Sequence, residues 1–295
     1  MLILTLTFRN VLRNRRRSIL TLLSMGGGFF LLCLTLSLSE GSYSNIIDVF
    51  TQDHTGHVQI HKGNYLDRPS LYKTINYANA LISDLEQQGN VIGIAPRIYA
   101  PSLAYGKDKT FPTQLVGIDP EREARTTRLE NKVKIGQYLT SQLSDKGHFP
   151  AMIGYSLAKN LHLNIGDELV LISQGIDGSI ANDIFVITAI VGDASSYERM
   201  NVYLSLTAMR EFLSMQGGEL SQVHELAIVL SHQSQARAFA SKTQMELEHA
   251  NLQVQPWQVI ESSFYNSMQA DKKGSYVSMG VVIFIVSIGV LNTIL

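Results

Sequence analysis

The sequence predicts a membrane protein in which two transmembrane helices flank a large α+β domain outside the membrane. Two uncharged, apolar runs predict the helices, residues 18–39 and 275–295. At about 1.5 Å per residue, each run can cross an apolar bilayer core of about 30 Å. Between them, residues 40–274 mix strand and helix patterns without the regular alternation of a βαβ fold, which predicts an α+β domain.

Charge near the first run predicts the orientation of the chain. No acidic residue precedes Glu40, whereas five arginines do: Arg9, Arg13, Arg15, Arg16 and Arg17. Because basic flanks remain in the cytoplasm, we expect a cytoplasmic N-terminus and an external domain at 40–274. Residues 1–17 alternate apolar and polar side chains, which is typical of an amphipathic helix on the membrane surface. Its arginines, Arg13, Arg15, Arg16 and Arg17 above all, would contact anionic headgroups.

The first run is predicted to be a retained transmembrane helix rather than a cleaved signal peptide. It holds 20 residues without charge from Ile19 to Leu38, whereas the apolar part of a signal peptide has about 7–15. Gly26, Gly27 and Gly28 lie at its centre and are candidates for close helix packing. The alternative is that lipid simply tolerates glycine there.

The second run is apolar throughout its 21 residues, which predicts a transmembrane helix rather than a surface helix. Lys272 and Lys273 precede it on the expected outer side, mildly against the orientation rule, but the N-terminal arginines should dominate. No cytoplasmic flank follows Leu295. We therefore expect a fragment or a natural truncation of a protein with further spans.

Composition narrows the function classes. Beyond residue 39 the chain has 19 Lys and Arg against 25 Asp and Glu, a net charge of −6, which argues against nucleic acid as a partner. Cys33, the only cysteine, lies within the first apolar run, so the external domain has no disulfides. This usage favours a bacterial envelope protein over a eukaryotic ectodomain.

The external domain is predicted element by element from residue periodicity and turn signals. After a helical extension from Glu40, the expected strands are 57–61, 91–95, 98–105, 113–118, 168–174, 183–191, 202–204, 223–230 and 252–254. The expected helices are 77–88, a charged turn after Asp119-Pro120, 152–161, 206–215, 235–250 and a long stretch from Pro256. Asp177-Gly178 predicts a hairpin turn.

No motif for catalysis, cofactor binding or metal binding appears. His54, His57 and His61 are close in sequence, but no acidic residue completes a known metal spacing. We interpret His57 and His61 as the solvated face of a strand. An external enzyme lacks any supporting motif, since no phosphate loop, G-x-S-x-G or H-E-x-x-H is present.

A family resemblance joins these pieces. The N-terminal stretch Phe8–Arg17 (FRNVLRNRRR), running into a glycine-containing span, resembles the start of ABC-transporter permeases of the MacB/FtsX type, most of all the LolC/LolE-like group. Further similar segments follow in order: TGHVQI at 55–60, LVGIDP at 115–120, IGYSLAK at 153–159 and IGDEL at 165–169. Each is weak alone, and their order between two distant spans is more specific.

The resemblance implies a MacB-type periplasmic core domain in the bacterial inner membrane and four spans, of which this chain holds two. It implies a permease subunit without catalytic residues, whose ATP-Mg is bound by a separate cytoplasmic ABC ATPase. Its partners would be a second permease copy or homologue, membrane lipids, and a periplasmic lipoprotein or carrier. Phe8, Asn10 and Leu12 would lie near the ATPase.

Lipoprotein release to the outer membrane is the function that the resemblance favours. Efflux of a hydrophobic compound or peptide, regulation of wall enzymes and a two-span sensor with a ligand-binding domain remain alternatives. The implied mechanism is mechanical, because ATP-driven closure of the ATPase would move the periplasmic domains through helical connections. Ser42–Phe50 and Pro256–Gly274 are the candidate connections.

Overall fold

The computed structural model describes residues 15–144, 147–215 and 221–294. These residues form two compact units. One is the continuous segment Asp48–Ile260, and the other joins the described residues up to Ile47 with those from Glu261 onward. The first unit mixes helices and strands, which confirms the predicted α+β class.

The second unit consists of two long helices. Helix α1 spans Arg15–Phe50, of which residues up to Ile47 belong to this unit, and helix α8 spans Ser262–Ile294. Neither contains a proline, which would break the backbone hydrogen-bond ladder. Both are long and apolar enough to cross a membrane, and none of the other described residues buries their most apolar stretches.

The elements of the α+β unit alternate irregularly along the chain. Its strands are β1 Val58–Lys62, β2 Val91–Tyr105, β3 Thr110–Ile118, β4 Val133–Gly136, β5 Pro150–Gly154, β6 Glu168–Gln174, β7 Ile180–Val191, β8 Asn201–Ser205, β9 Glu225–Leu230 and β10 Leu252–Pro256. Its α-helices are α2 Ala78–Glu86, α3 Pro120–Thr126, α4 Tyr155–Leu161, α5 Leu206–Phe212, α6 Ala236–Glu246 and α7 Trp257–Ile260. A π-helical turn, Thr51–Thr55, precedes β1.

All described strands belong to one sheet with the order β10-β1-β9-β2-β3-β8-β5-β7-β4, while β6 pairs with β2 and β7. The pairs β3–β8 and β5–β7 are parallel, and the others are antiparallel. The first strand, β1, pairs with the last, β10, so that Val58 lies opposite Pro256. The segment that enters the sheet and the segment that leaves it are therefore adjacent.

The interpretation of the first strand as half-solvated is wrong. Strand β1 lies between β9 and β10, and the side chains from His57 to His61 are all buried. His57 and His61 are 3% and 1% exposed. Alternation of polar and apolar residues predicts one solvent-exposed face, but side chains on both faces of β1 are buried. Inside the protein, the Gln59 side chain donates to the Thr55 carbonyl at 2.9 Å, and the His61 ring nitrogens lie 3.2 Å from the His224 carbonyl and 3.0 Å from Gln59 Oε1.

Two element boundaries also differ from the prediction. Residues 150–154 form the buried strand β5 rather than the start of a helix, and the helix α4 begins only at Tyr155. The two strands expected at 91–95 and 98–105 are one strand, β2, because Pro96 is accommodated opposite Leu226 without ending the pairing. Proline is uncommon inside a sheet, which is why the sequence indicated a break there.

The predicted hairpin at Asp177-Gly178 is confirmed. Strands β6 and β7 pair antiparallel from Glu168↔Val186 to Gln174↔Ile180, and the turn between them contains Gly178 at φ +83°. A left-handed backbone conformation of this kind favours glycine.

Candidate functional site

The point where the chain enters the α+β unit has an unusual local structure. Helix α1 gives way to the π-helical turn Thr51–Thr55, and the amide of Gly56 donates to the Thr51 carbonyl at 2.8 Å. Gly56 itself has φ +69° and ψ 178°, a combination that is almost confined to glycine. Single π-helical turns are rare and often occur at functional sites. We call this turn and the charged side chains around it the junction.

Arg97 on β2 holds the junction from inside the unit. Its Nε and Nη2 donate to the two carboxylate oxygens of Glu123 on α3, at 3.0 and 2.6 Å. Its Nη1 donates to Glu225 on β9 at 3.0 Å and to the carbonyl oxygen of His54 in the π-helical turn at 2.5 Å. The Arg97 side chain is 3% exposed. One buried guanidinium thus ties the turn to a helix and two strands.

Lys132 forms a second charged contact with the same turn. Its Nζ lies 3.0 Å from Asp53 of the turn and 2.5 Å from Glu198, whose side chain is 1% exposed. The amide of Arg128 donates to the carbonyl of Gln52 at 2.9 Å. The turn is therefore held by segments that are distant in sequence, through ion pairs and backbone hydrogen bonds together.

Burial of Arg97 with Glu123 and Glu225 carries a desolvation cost that their interactions must offset. Desolvation alone would lower the pKa of Arg97, but the neighbouring Glu123 and Glu225 carboxylates outweigh it and hold this pKa well above its ordinary value. Tyr99, whose hydroxyl donates to Glu225 at 3.1 Å, has a pKa raised mainly by desolvation and further by Glu225. Because a buried ion pair depends on both partners, loss of one leaves an uncompensated charge.

Buried histidines surround the adjoining strands. Tyr65 stacks between His61 and His224, with ring centroids 5.2 and 5.4 Å away. His57 Nδ1 accepts a hydrogen bond from the Leu230 amide at 3.0 Å. Desolvation lowers the pKa values of His57, His61 and His224. The pKa of His54, which faces Arg97 and Lys132, is lowered to about 3, again mainly by desolvation.

These histidines predict that the α+β unit loses stability in mild acid. Each folded-state pKa lies below the ordinary value of about 6.5, so the unfolded chain binds more protons below that pH. The stabilisation is complete above about pH 6.5 and is lost as the pH falls from there toward the folded-state values. Urea unfolding of the full chain, followed between pH 7.5 and 5, should show the midpoint falling with acidity.

The variant His57→Asn tests this assignment. An asparagine Oδ1 can still accept from the Leu230 amide, while one titrating group is removed. We expect a shallower decline of stability between pH 6.5 and 5 than in the wild type, whereas His162→Asn, which changes a side chain that is 61% exposed, serves as the matched control. An unchanged slope in His57→Asn would contradict the role of His57.

Helix α1 contains the described basic residues and the glycines that the sequence singled out near the first apolar run. Arg15 and Arg16 are exposed at the start of α1, and Arg17 follows in the same helix. A Cβ on Gly28 would meet Val286 of α8 at 3.1 Å, whereas one on Gly26 or Gly27 would meet no described residue within 4 Å. The others lie outside the described residues: Phe8, Asn10, Leu12 and Arg13.

Sequence reasoning missed the junction itself. Glu123 and Glu225 lie 26 and 128 positions after Arg97, and nothing in their local sequence indicates a cluster. Within the described ranges, no group of three or more His, Cys, Asp or Glu side chains could hold a metal ion. The arrangement is suited to holding backbone segments together rather than to chemistry on a substrate.

Residues 18–246 match the model of the MacB-like periplasmic core domain family. Because this match covers most of the sequence, the chain belongs to that family, whose members include periplasmic domains of ABC-transporter permeases of the MacB/FtsX type. No curated protein sequence matches the chain.

Solved structures with low sequence identity accompany this family match. The periplasmic region of MacB from Actinobacillus actinomycetemcomitans is 16% identical, with a TM-score of 0.49 over 71% of this chain and 92% of that one. The extracellular domain of the noncanonic ABC-type transporter YknZ from Gram-positive bacteria is 10% identical, with a TM-score of 0.46 over 67% and 98%. A domain of a putative permease protein from Porphyromonas gingivalis is 15% identical, with a TM-score of 0.35 over 68% and 89%.

Proposed function

We propose that this chain is the permease subunit of an ABC transporter in the bacterial inner membrane. Its N-terminus would lie in the cytoplasm and Asp48–Ile260 in the periplasm, with α1 and α8 spanning the bilayer. The family match across residues 18–246, with an apolar helix on each side of the α+β unit, carries this proposal. A separate cytoplasmic ATPase would bind ATP-Mg, and a second permease copy or homologue would complete the transporter.

The junction gives this proposal a mechanical route. ATP-driven closure of the ATPase would displace the two membrane helices, and the periplasmic unit would respond through its two connections. Both connections reach the same side of the sheet, since β1 and β10 pair with Val58 opposite Pro256. The Trp257 amide also donates to the His57 carbonyl at 3.0 Å, which ties the start of the second connection to the residue that precedes β1. The Arg97 and Lys132 ion pairs would keep the π-helical turn from unfolding when the membrane helices move.

Lipoprotein release toward the outer membrane is the substrate class that we favour, on the segments that resemble the LolC/LolE-like group. A lipoprotein or its periplasmic carrier would then be the partner of the periplasmic unit. Efflux of a hydrophobic compound or peptide is the competing assignment within the same family, because the family model alone does not separate the two.

One experiment in the native host tests both the class of substrate and the route. The gene is replaced by full-length variants carrying flexible glycine linkers in Ser42–Phe50 and in Pro256–Gly274, and lipoproteins are quantified in inner and outer membrane fractions. We expect both the deletion and the linker variant to retain lipoproteins in the inner membrane. The same linker inserted at Gly89, an exposed turn between α2 and β2, is the matched control and should leave release near the wild-type level.

The alternatives give different results in this experiment. Normal release by the linker variant, at wild-type protein level, would contradict the mechanical route. Normal lipoprotein distribution in the deletion strain, with increased sensitivity to hydrophobic compounds, would replace lipoprotein release with efflux. If the deletion strain shows neither retained lipoproteins nor increased sensitivity to hydrophobic compounds, the transporter assignment is contradicted.

A further inference from the structure

A polar cleft of about 700 Å³ opens on the α+β unit, and none of its lining residues belongs to the junction. Its walls come from β2, α3, the segment before β5, and α5. Pro96, Leu139 and Leu206 give it an apolar part, while Thr140, Ser141 and Thr207 line it with hydroxyl groups. Its volume lies within the range of about 300–1,000 Å³ in which small-molecule sites occur.

Arg210 is the distinctive side chain of this cleft. It lies on α5 one turn after Thr207, and its Nε is buried with no hydrogen-bond partner among the residues that the structure describes. Across residues 15–144, 147–215 and 221–294, no carboxylate lies within salt-bridge distance of its guanidinium. A half-buried cation with an unpaired Nε is costly, so its presence at a cleft points to an anionic ligand.

The other charged groups of the cleft already have partners. Asp119 caps α3, since its Oδ1 accepts from the amides of Glu121 and Arg122 at 3.1 Å each. Arg122 pairs with Glu86, and Glu121 pairs with Arg125. Among the described residues that line the cleft, Arg210 is thus the cation without a carboxylate partner.

Two surroundings act in opposite directions on the pKa of Arg210. Desolvation lowers the pKa of Arg210, while the Asp119 carboxylate acts to raise it. An arginine remains cationic at neutral pH in either case. The guanidinium fork matches the two oxygens of a carboxylate, which it can bind through two parallel hydrogen bonds.

We propose that this cleft binds a carboxylate, presented by a small organic acid or by the C-terminus of a peptide. Arg210 would bind the carboxylate, and the hydroxyl groups of Thr140, Ser141 and Thr207 would supply further hydrogen bonds. The apolar part would receive the adjoining hydrocarbon or side chain. This inference concerns the α+β unit alone and holds whether or not the chain belongs to a transporter of lipoproteins.

Calorimetric titration of the full-length protein in detergent tests the proposal. The probes are acetate, succinate, trialanine with a free C-terminus and an N-terminal acetyl group, and the same peptide with a C-terminal amide. We expect saturable binding of at least one carboxylate probe. If the cleft binds the C-terminal carboxylate of a peptide, the free peptide should bind about tenfold more tightly than its amide. Tighter binding of succinate than of the peptide would assign a small organic acid instead.

Variants test whether Arg210 is responsible. Arg210→Met keeps the aliphatic part of the side chain and should lower the affinity for the carboxylate probe at least about tenfold. Arg210→Lys should lower this affinity less. Lys242→Met removes a cation whose side chain is 64% exposed and which does not line the cleft, and it should leave affinity within about twofold. Absence of saturable binding by every carboxylate probe would overturn the proposal, as would equal affinity in Arg210→Met. If Arg210→Met does not fold, equal binding of the peptide and its amide, without binding of either organic acid, would still overturn it.

Discussion

Replacing Arg97 with methionine is expected to destabilise the α+β unit by about 3–5 kcal/mol. Methionine preserves the length of the side chain but removes the guanidinium. Glu123 and Glu225, whose side chains are 2% and 6% exposed, would then be buried without a cation. The His54 carbonyl in the π-helical turn would also lose its donor. The large effect arises because two carboxylates remain buried without a cation. The favourable energy of the ion pair itself contributes less.

Trp257 provides the measurement. It is the only tryptophan of the chain, is 4% exposed, and lies directly after β10, so its fluorescence should report unfolding near the junction. Urea unfolding of Arg97→Met should show the loss, and the double variant Arg97→Met with Glu123→Gln should recover part of it. Arg125→Met, which breaks an exposed pair 3.7 Å apart, is the control and should change stability by less than about 0.5 kcal/mol. A loss below about 1 kcal/mol in Arg97→Met would contradict the buried cluster.

Gly56→Ala is the second substitution with a large expected effect, about 3 kcal/mol of destabilisation. At φ +69° and ψ 178° an L side chain is strained whatever the surrounding space. A Cβ would also lie 2.9 Å from the carbonyl oxygen of Ile228 and 3.0 Å from its amide nitrogen. The backbone of β9 cannot move away cheaply, because it pairs with both β1 and β2. The change should therefore weaken the π-helical turn and the adjoining strand together.

The matched control for this substitution is Gly89→Ala. A Cβ on Gly89 would have no neighbour within 4 Å in the described part of the chain, and the backbone at Gly89 does not have a positive φ. Thermal unfolding of the two variants beside the wild type should show a clear loss for Gly56→Ala and almost none for Gly89→Ala. Equal stabilities of the two variants would mean that the turn at Gly56 is not constrained as described.

The sequence predicted those parts of the fold that depend on residues close together along the chain. The two apolar helices follow from composition, and the hairpin at Gly178 follows from a turn that requires a left-handed residue. The burial of His57 and His61 could not be predicted in the same way, because it depends on β9 and β10, which pair with β1 from more than 160 residues away. A short polar and apolar alternation indicates a strand but not its place in the sheet.

The junction shows the same limit more strongly. Arg97 lies in a segment that the sequence indicated as a break between two strands, since it follows Pro96. Its partners lie on α3 and β9, and its fourth contact is a backbone carbonyl, which no side-chain motif can signal. The resemblance of TGHVQI at 55–60 to family members did indicate the junction, although it did not indicate the charged side chains that hold the π-helical turn in place.

The arrangement of the chain across the membrane is the central claim, and site-directed labelling tests it most directly. Cys33→Ser removes the only cysteine, and single cysteines are then introduced by Thr7→Cys or Asp84→Cys in the full-length protein. Asp84 is exposed on α2 of the α+β unit. Spheroplasts are treated with a membrane-impermeant maleimide before and after lysis. We expect the Asp84→Cys protein to be labelled in intact spheroplasts and the Thr7→Cys protein only after lysis. Labelling of the Thr7→Cys protein in intact spheroplasts, or protection of the Asp84→Cys protein until lysis, would contradict the account.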